Sequence, residues 1–273
     1  MSKNIIAIIL AYNCQNEIVK TLKKIHRFEK YFFKICVVDN NSKDRTFERA
    51  NNFIKSRNLK KFEVITNLKN FGQGGSHKVG FEYALKNNCD FCLVYHGDDQ
   101  ANINDFKKIM SNKVYLNYDA ILGARFIKGS KLINYQMYRI FGNKVFNLLF
   151  SIVSNYKIYD LGSGINLYGK KVISDIYLKY IDNEMGFNYQ NLLLMITSRR
   201  KLKFTPISWK SEDEESNVQL VSQSIKVLKI VLFFYIKNNY FNFLKKICSY
   251  YETPKSKIFN IKGSRTINWK FRL

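Results

Sequence analysis

Apolar residues fall in short, dense runs through the first half of the chain, and between the runs the spacing changes to a helical period. "NIIAIILA" (4–11) is apolar on both alternating faces, the pattern of a strand buried inside a sheet. Ile18, Leu22 and Ile25 follow at helical spacing. The alternation continues with "KICVV" (34–38), whose following helix carries Phe47, Ala50 and Ile54 on one face. It goes on through "FEVIT" (62–66) with a Gly-rich turn and a helix to about Leu85, "DFCLVY" (90–95) with a helix to about Tyr115, and "DAILG" (119–123). Such a sequence predicts an α/β chain with a mostly parallel, Rossmann-like sheet and helices on both faces. From about 131 to 205 the pattern is more helical, around a turn at "YDLGSGINLYG" (159–169). After an acidic cluster at 212–215, the stretch 221–251 predicts one or two amphipathic helices rich in lysine and aromatic residues, followed by a basic end. The expected organisation is a catalytic unit over 1–215 and a basic amphipathic helical extension over 216–273. There is no internal repeat and no low-complexity linker.

What ends each strand is informative. The first runs into Tyr12 and Asn13, the second into Asp39, and the third into Asn67 and the turn Asn70-Phe71-Gly72. The fourth runs into His96-Gly97-Asp98-Asp99, and the fifth into Arg125. Ligands of open α/β sheets bind beyond the carboxyl ends of the strands, so five polar strand ends describe one site. Two adjacent carboxylates at such an end suit a hard divalent cation, Mg²⁺ or Mn²⁺, holding a diphosphate. The plainer reading is that Asp98 and Asp99 cap a helix starting near Asn102. Asp39 reads as an acceptor for a base N–H or a ribose hydroxyl, or as a turn acid, with Ser42 capping the next helix and Asp44 in its first turn. "NFGQGG" (70–75), with Gly72 and Gly74, could let backbone approach a phosphate. Arg125 could grip a phosphate bidentately or make a surface ion pair.

The formal net charge of +24 favours phosphate-rich partners, anionic membrane surfaces or nucleic acid. An abundance of Lys, Asn, Ile, Phe and Tyr is also what an AT-rich genome produces. A nucleic-acid-binding role would leave the strand-end pattern unexplained, so nucleic acid is not the expected partner. Five irregularly spaced cysteines argue against a secreted disulfide framework, and the lone Cys89-Asp90-Phe91-Cys92 runs into a strand, where packing is the default. "MSKNIIAIILAYN" lacks the small-residue cleavage site of a signal peptide, and the most apolar stretch, "IVLFFYI" (230–236), is far short of a membrane span. The expected compartment is the cytoplasm, with peripheral contact on the cytoplasmic membrane face.

In order along the chain, "AYNCQNEI" (11–18), "VVDNNSKDRT" (37–46), "NFGQGGSHKVGFEYA" (70–84), "VYHGDDQ" (94–100), "LGARF" (122–126) and "DLGSGINLYGKKVI" (160–173) resemble the family 2 glycosyltransferases. The likeness covers about residues 4 to 210 and leans towards the dolichol-phosphate and polyprenyl-phosphate sugar transferases. It implies a GT-A fold and a metal-dependent inverting transfer from a UDP-, GDP- or dTDP-linked sugar. The acceptor would be a lipid phosphate or a glycan, in cell-surface polysaccharide or glycolipid synthesis. By the same likeness Tyr12, Glu17 and Asp39 would line base and ribose; Asn13, Ser42, Asn70, Gly72 and Gly74 complete the expected substrate-binding set. Asp98 would be the second acid of a DxD-like motif, with Asp99 beside it on the metal. Gln100 would lie near the sugar and Arg125 near diphosphate or acceptor phosphate, with Asp160 and Ser163 facing the acceptor.

The chain departs from the family pattern at two places. His96 stands where the motif has its first acid, removing a negative charge that Asp99 could restore. Asp39-Asn40-Asn41-Ser42 stands where relatives have Asp-Asp-Gly-Ser. A phosphate acceptor would need no base; for a hydroxyl acceptor, Asp160 is the candidate. The rival reading is an inactive nucleotide-binding relative.

Overall fold

β1 (Ile5–Ala11) runs down the middle of a nine-stranded sheet, and its side chains show why both faces had to be covered. Ile6, Ile8 and Leu10 enter one core and Ile5, Ala7 and Ile9 the other, the period-2 alternation of a strand with no solvent face. The computed structural model describes residues 3–211, 217–237, 239–247, 255–260 and 263–268. After β1 come α1 (Ile18–His26), β2 (Lys34–Asp39), α2 (Thr46–Ser56), β3 (Phe62–Asn67), α3 (Gly72–Lys86) and β4 (Phe91–His96). Next are α4 (Lys107–Ser111), β5 (Ala120–Ala124), β6 (Lys131–Ile133), α5 (Met137–Ser154), β7 (Ile165–Gly169), α6 (Lys170–Ile173) and α7 (Gly186–Thr197). The chain continues through β8 (Leu202–Pro206), β9 (Ser208–Lys210), α8 (Asn217–Ile236), α9 (Tyr240–Ile247), β10 (Lys255–Asn260) and β11 (Gly263–Asn268).

The sheet order is β11-β10-β3-β2-β1-β4-β7-β5-β8. β3, β2, β1 and β4 are parallel, as the apolar runs predict, and β5 pairs β8 in parallel. β7 enters antiparallel between β4 and β5. It falls in the segment read as a turn, because a fully buried five-residue strand between glycines has no alternation to show. The helix expected through Tyr115 is short: α4 is flanked by 3₁₀ turns, and Lys113 adopts a left-handed φ of 53°.

The C-terminal segment joins the same cores. Val227 and Val231 of α8 and Tyr240, Phe241 and Leu244 of α9 are buried beside α7. Residues 255–260 and 263–268, expected as a trailing basic end, form strands, with β10 antiparallel on the edge strand β3. The unpaired backbone of β3 supplies the reason. Ser256 Oγ donates to Asn67 Oδ1 at 2.8 Å, and Phe259 packs edge-on against Phe47 at 4.8 Å. Cys248 and the acidic run 212–215 lie outside the described residues.

Candidate active site

The loop after β4 is fixed before any ligand arrives. The His96 N–H donates to Gly164 O and the Gly97 N–H to Leu10 O, both at 2.8 Å, while Thr21 Oγ1 donates to Gly97 O at 3.1 Å. Asp99 takes a left-handed φ of 59°, which turns the two neighbouring carboxylates apart. Asp98 points into two cavities; Asp99 meets Lys24 Nζ of α1 at 2.6 Å and lines neither. The paired-carboxylate metal site expected of Asp98 and Asp99 is therefore not assembled. Nor do they cap a helix: Asn102 does that, its Oδ1 accepting from the Asn104 N–H. Among the described residues, no three His, Cys, Asp or Glu side chains gather as a metal site.

The cavities share Gln73, His96 and Asp98 as a waist. The smaller, about 290 Å³, lies over the ends of β1 and β2 and is bordered by Tyr12, Asn40, Asn70, Gly72, Ser76 and Glu184. Asn40 organises it. Its Nδ2 donates to Asn70 Oδ1 at 2.7 Å and Gly72 O at 3.2 Å, and its Oδ1 accepts from Asn67 Nδ2 and the Phe71 N–H, both at 3.0 Å. The amide is thereby fully used, and a rigid floor results. Asp39 sits just behind, its carboxyl accepting from Thr66 Oγ1 at 2.7 Å and the Ser42 N–H at 3.3 Å, with burial pushing its pKa up. Asn13 and Ser42 hold each other: the Asn13 N–H donates to Ser42 Oγ at 3.0 Å, and Asn13 Oδ1 accepts from the Lys43 N–H. The cap expected of Ser42 is supplied by Asp44, whose Oδ1 accepts from the Thr46 N–H. Asp39, Asn13, Ser42 and Glu17 do not line the cavity.

The glycines of "NFGQGG" serve packing. Gly72 has φ +72°, and a Cβ on Gly74 would lie 2.6 Å from both Asp182 O and Phe187 Cβ. The close approach expected for a phosphate is taken by the segment 182–187, which Lys78 of α3 anchors through Ile181 O at 2.6 Å and Asn183 Oδ1 at 2.7 Å. That segment places Glu184 on the smaller cavity and Met185 on the larger.

The larger cavity, about 440 Å³, has a different chemistry. Gln100, Arg125, Tyr135, Tyr138, Arg139, Ser163, Asn188, Tyr189 and Trp209 border it, and Asp98 is the one acid among its described lining residues. Arg125 is clamped by Asp160. Its Nε and a terminal nitrogen donate to the two carboxylate oxygens at 2.8 Å, its backbone N–H adds a third bond, and the terminal nitrogen also reaches Gly162 O at 2.9 Å. The buried Asp160 holds the guanidinium charged, raising its pKa despite burial. Asp160 thus fails as a general base: both oxygens are committed to Arg125, and it borders neither main cavity. Ser163 Oγ turns to Ile165 O at 3.2 Å. Trp209 comes from β9, which runs along residues 100–102 through the bond from the Lys210 N–H to Gln100 O at 2.9 Å. Its ring lies 5.1 Å from the Arg125 guanidinium carbon.

At the waist, Gln73 Nε2 lies 3.1 Å from His96 Nε2. An amide nitrogen only donates, so this ring accepts there and carries its proton on Nδ1, 3.9 Å from Asp98 Oδ2. Burial lowers the His96 pKa against the pull of Asp98, which keeps the ring neutral. Behind it, His77 stacks on Phe187 at 4.7 Å and bonds Gln73 O through Nδ1; burial lowers its pKa to about 3. Asn40, Gln73, Arg139, Glu184 and Trp209 escaped the sequence reading. Asn40 adjoins Asp39 and Trp209 is one of two tryptophans, but nothing local marks the others.

The sequence model of glycosyl transferase family 2 matches residues 6–177. Dolichyl-phosphate beta-glucosyltransferase of Saccharomyces cerevisiae is 28% identical over 246 residues, covering 81% of this chain and 71% of the yeast protein. Polyprenol monophosphomannose synthase of Mycolicibacterium smegmatis is 21% identical over 185 residues, 68% of each chain. Among solved structures, glucosyl-3-phosphoglycerate synthase from Mycobacterium tuberculosis in complex with UDP superposes with a TM-score of 0.64 at 9% identity, over 99% of this chain and 89% of that one. The same enzyme with Mn²⁺, UDP-glucose and phosphoglyceric acid gives 0.63 at 11% identity, over 98% and 88%. The chain thus belongs to glycosyl transferase family 2 and is a glycosyltransferase with the GT-A fold.

Proposed function

We propose that this enzyme transfers a hexosyl group, with inversion, from a UDP-linked sugar to a lipid-linked phosphate. The observation carrying the proposal is that two cavities of opposite character meet at Asp98: one floored by neutral amides, the other walled by two arginines and aromatic rings. The nucleotide occupies the smaller cavity, between Tyr12 and the Asn40–Asn70 floor. The sugar crosses the waist, and the acceptor phosphate faces Arg125 and Arg139. UDP is the first choice because the solved relatives hold UDP or UDP-glucose, and a phosphate acceptor agrees with phosphoglyceric acid in one and with the dolichyl-phosphate and polyprenol relatives.

The residues present fit a divalent ion of the Mg²⁺ or Mn²⁺ class. Asp98 would hold it, with the donor diphosphate and water completing a shell that needs only one or two protein carboxylates. Such an ion, when bound, neutralises charge developing on the departing diphosphate. The neutral His96 ring stands beside Asp98, its Nδ1 3.9 Å from Asp98 Oδ2, in place of a second acid. Arg125, fixed by Asp160, stabilises anionic oxygens in the larger cavity without reorganisation. The phosphate acceptor is already an anion, so no side chain has to remove a proton.

The test is thermal stability against UDP, GDP, CDP and dTDP, each with and without Mn²⁺, followed by sugar transfer to a short, water-soluble prenyl phosphate. At about 100 times its dissociation constant a ligand adds roughly 2.7 kcal/mol. UDP alone stabilising, only with metal, followed by transfer to the prenyl phosphate, is the expected result. Stabilisation by no nucleotide, or transfer only to non-phosphorylated hydroxyl acceptors, would refute the proposal.

A further inference from the structure

α5 and α8 lie side by side, and each has a face without a protein partner among the described residues. On α5, Met137, Phe141, Val145, Leu148 and Ile152 recur every three or four residues and form one stripe. Phe141 is 71% exposed, Leu148 61% and Ile152 67%, whereas Asn147 and Phe150 on the opposite side are buried. On α8, Ile225, Leu228, Leu232 and Ile236 form a second exposed stripe, while Val227 and Val231 face the core. Single exposed apolar residues mean little; two adjoining stripes mark an interaction surface. The mouth of the larger cavity opens between these helices, which contribute Tyr138, Arg139, Asn143 and Phe146 from one side and Gln223, Ser224 and Val227 from the other.

We propose that the α5–α8 face is where the enzyme lies on an anionic lipid leaflet, its larger cavity opening into the headgroup layer. Charge decides the occupant. Within 137–154 and 217–236 there is no Asp or Glu, and Lys144, Lys226 and Lys229 flank the stripes from exposed positions, with Lys237 just beyond. Lys144 lies on α5 and Lys226 and Lys229 lie mid-way along α8, so the positive charge is shared by both helices. A second copy would bring the same positive face and a net charge of +24. An anionic leaflet takes both the apolar stripes and the lysines. No helix among the described residues is long and apolar enough to cross a membrane, so the contact is in-plane. The inference rests on the lipid-phosphate reading for its purpose: an acceptor anchored in the leaflet reaches Arg139 without leaving it.

Full-length protein is sedimented with phosphatidylcholine vesicles, with or without phosphatidylglycerol, at low and high salt. Wild type binds the anionic vesicles and releases as salt rises. Phe141→Gln with Leu148→Gln, and separately Leu228→Gln with Leu232→Gln, each weaken partitioning at least about tenfold. Both variants keep the wild-type thermal shift with UDP and Mn²⁺ and the wild-type transfer to short prenyl phosphate, because none of these residues lines a cavity. Equal sedimentation of wild type and variants overturns the inference, as does a salt-insensitive dimer that the same substitutions dissociate. Vesicle binding lost in the variants without any prenyl-phosphate transfer in wild type would instead sink the acceptor assignment and leave the membrane face standing.

Discussion

The two cavities sit within one side chain of each other yet are built on opposite terms. The smaller stands on strand ends, and its floor is pre-bonded, Asn40 with Asn67, Asn70 and the Phe71 amide; behind the lining, Asp39 bonds Thr66 and Asn13 bonds Ser42. The larger gathers Arg125 from just beyond β5 and Arg139, Tyr189, Trp209 and Gln223 from α5, α7, β9 and α8, and Arg125 is held there by a deeply buried ion pair with Asp160. A neutral, pre-bonded floor suits a flat ligand recognised by shape and hydrogen bonds. A cationic, aromatic wall suits an anion and a sugar face.

The sharpest way to break this contrast is Asp160→Asn. If the larger cavity depends on a buried ion pair, removing the acid strands Arg125 and costs about 3–5 kcal/mol in urea unfolding. A variant that unfolds like wild type but has lost transfer to hydroxyl acceptors would instead restore Asp160 as a base. Next comes Asp98→Asn at the waist. Transfer should fall at least about 100-fold, and the metal-dependent shift with UDP should vanish, while the ligand-free melt moves by less than about 0.5 kcal/mol because the side chain is partly exposed. Retained, metal-dependent UDP stabilisation would detach the ion from Asp98.

The same contrast explains what was legible. Four parallel strands and their polar ends could be read because each apolar run is continuous and ends abruptly. The smaller cavity follows from them, with Asn40 hidden only by standing beside Asp39. The larger cavity was barely legible, because its parts are distant in sequence and two of its supports mimic other things. β7 reads as a glycine-rich turn, and the exposed stripe of α5 has the spacing of a core-facing helix. Gly72 and Gly74 have the look of a phosphate loop, but the backbone that approaches them is 182–187, over a hundred residues away. β10 and β11 were hidden by their polar composition: Lys255, Ser256 and Lys257 precede Ile258 and Phe259, and Ile267 is the one apolar side chain in GSRTIN (263–268).

The waist adds a pH signature. His77 is neutral in the folded protein, with its pKa lowered from 6.5 to about 3 by burial, so the unfolded chain binds the extra proton between those values. Stability is fully present above pH 6.5 and declines as pH falls below it, by roughly 2 kcal/mol between pH 6.5 and 5. Urea titrations at the two pH values should show this loss in wild type, and His77→Leu should remove about that much of it. An unchanged pH dependence in the variant would place the titrating group elsewhere.

The smallest expected effect separates the adjacent acids. Asp99 is paired with Lys24 at the rim, 18% exposed against 38% for its partner, and such a pair contributes about 0–1 kcal/mol. Asp99→Asn should therefore leave the Mn²⁺ concentration for half-maximal transfer within about threefold of wild type, a difference of under about 1 kcal/mol. Lys24→Met should do the same, since freeing Asp99 leaves its left-handed backbone pointing it towards α1. If Asp99→Asn shifted the metal requirement as far as Asp98→Asn, the loop would have to rearrange on binding, with Lys24 releasing the carboxylate to the ion. Lys24→Met would then lower the metal requirement instead of leaving it alone, and the fixed loop would become a moving part of the site.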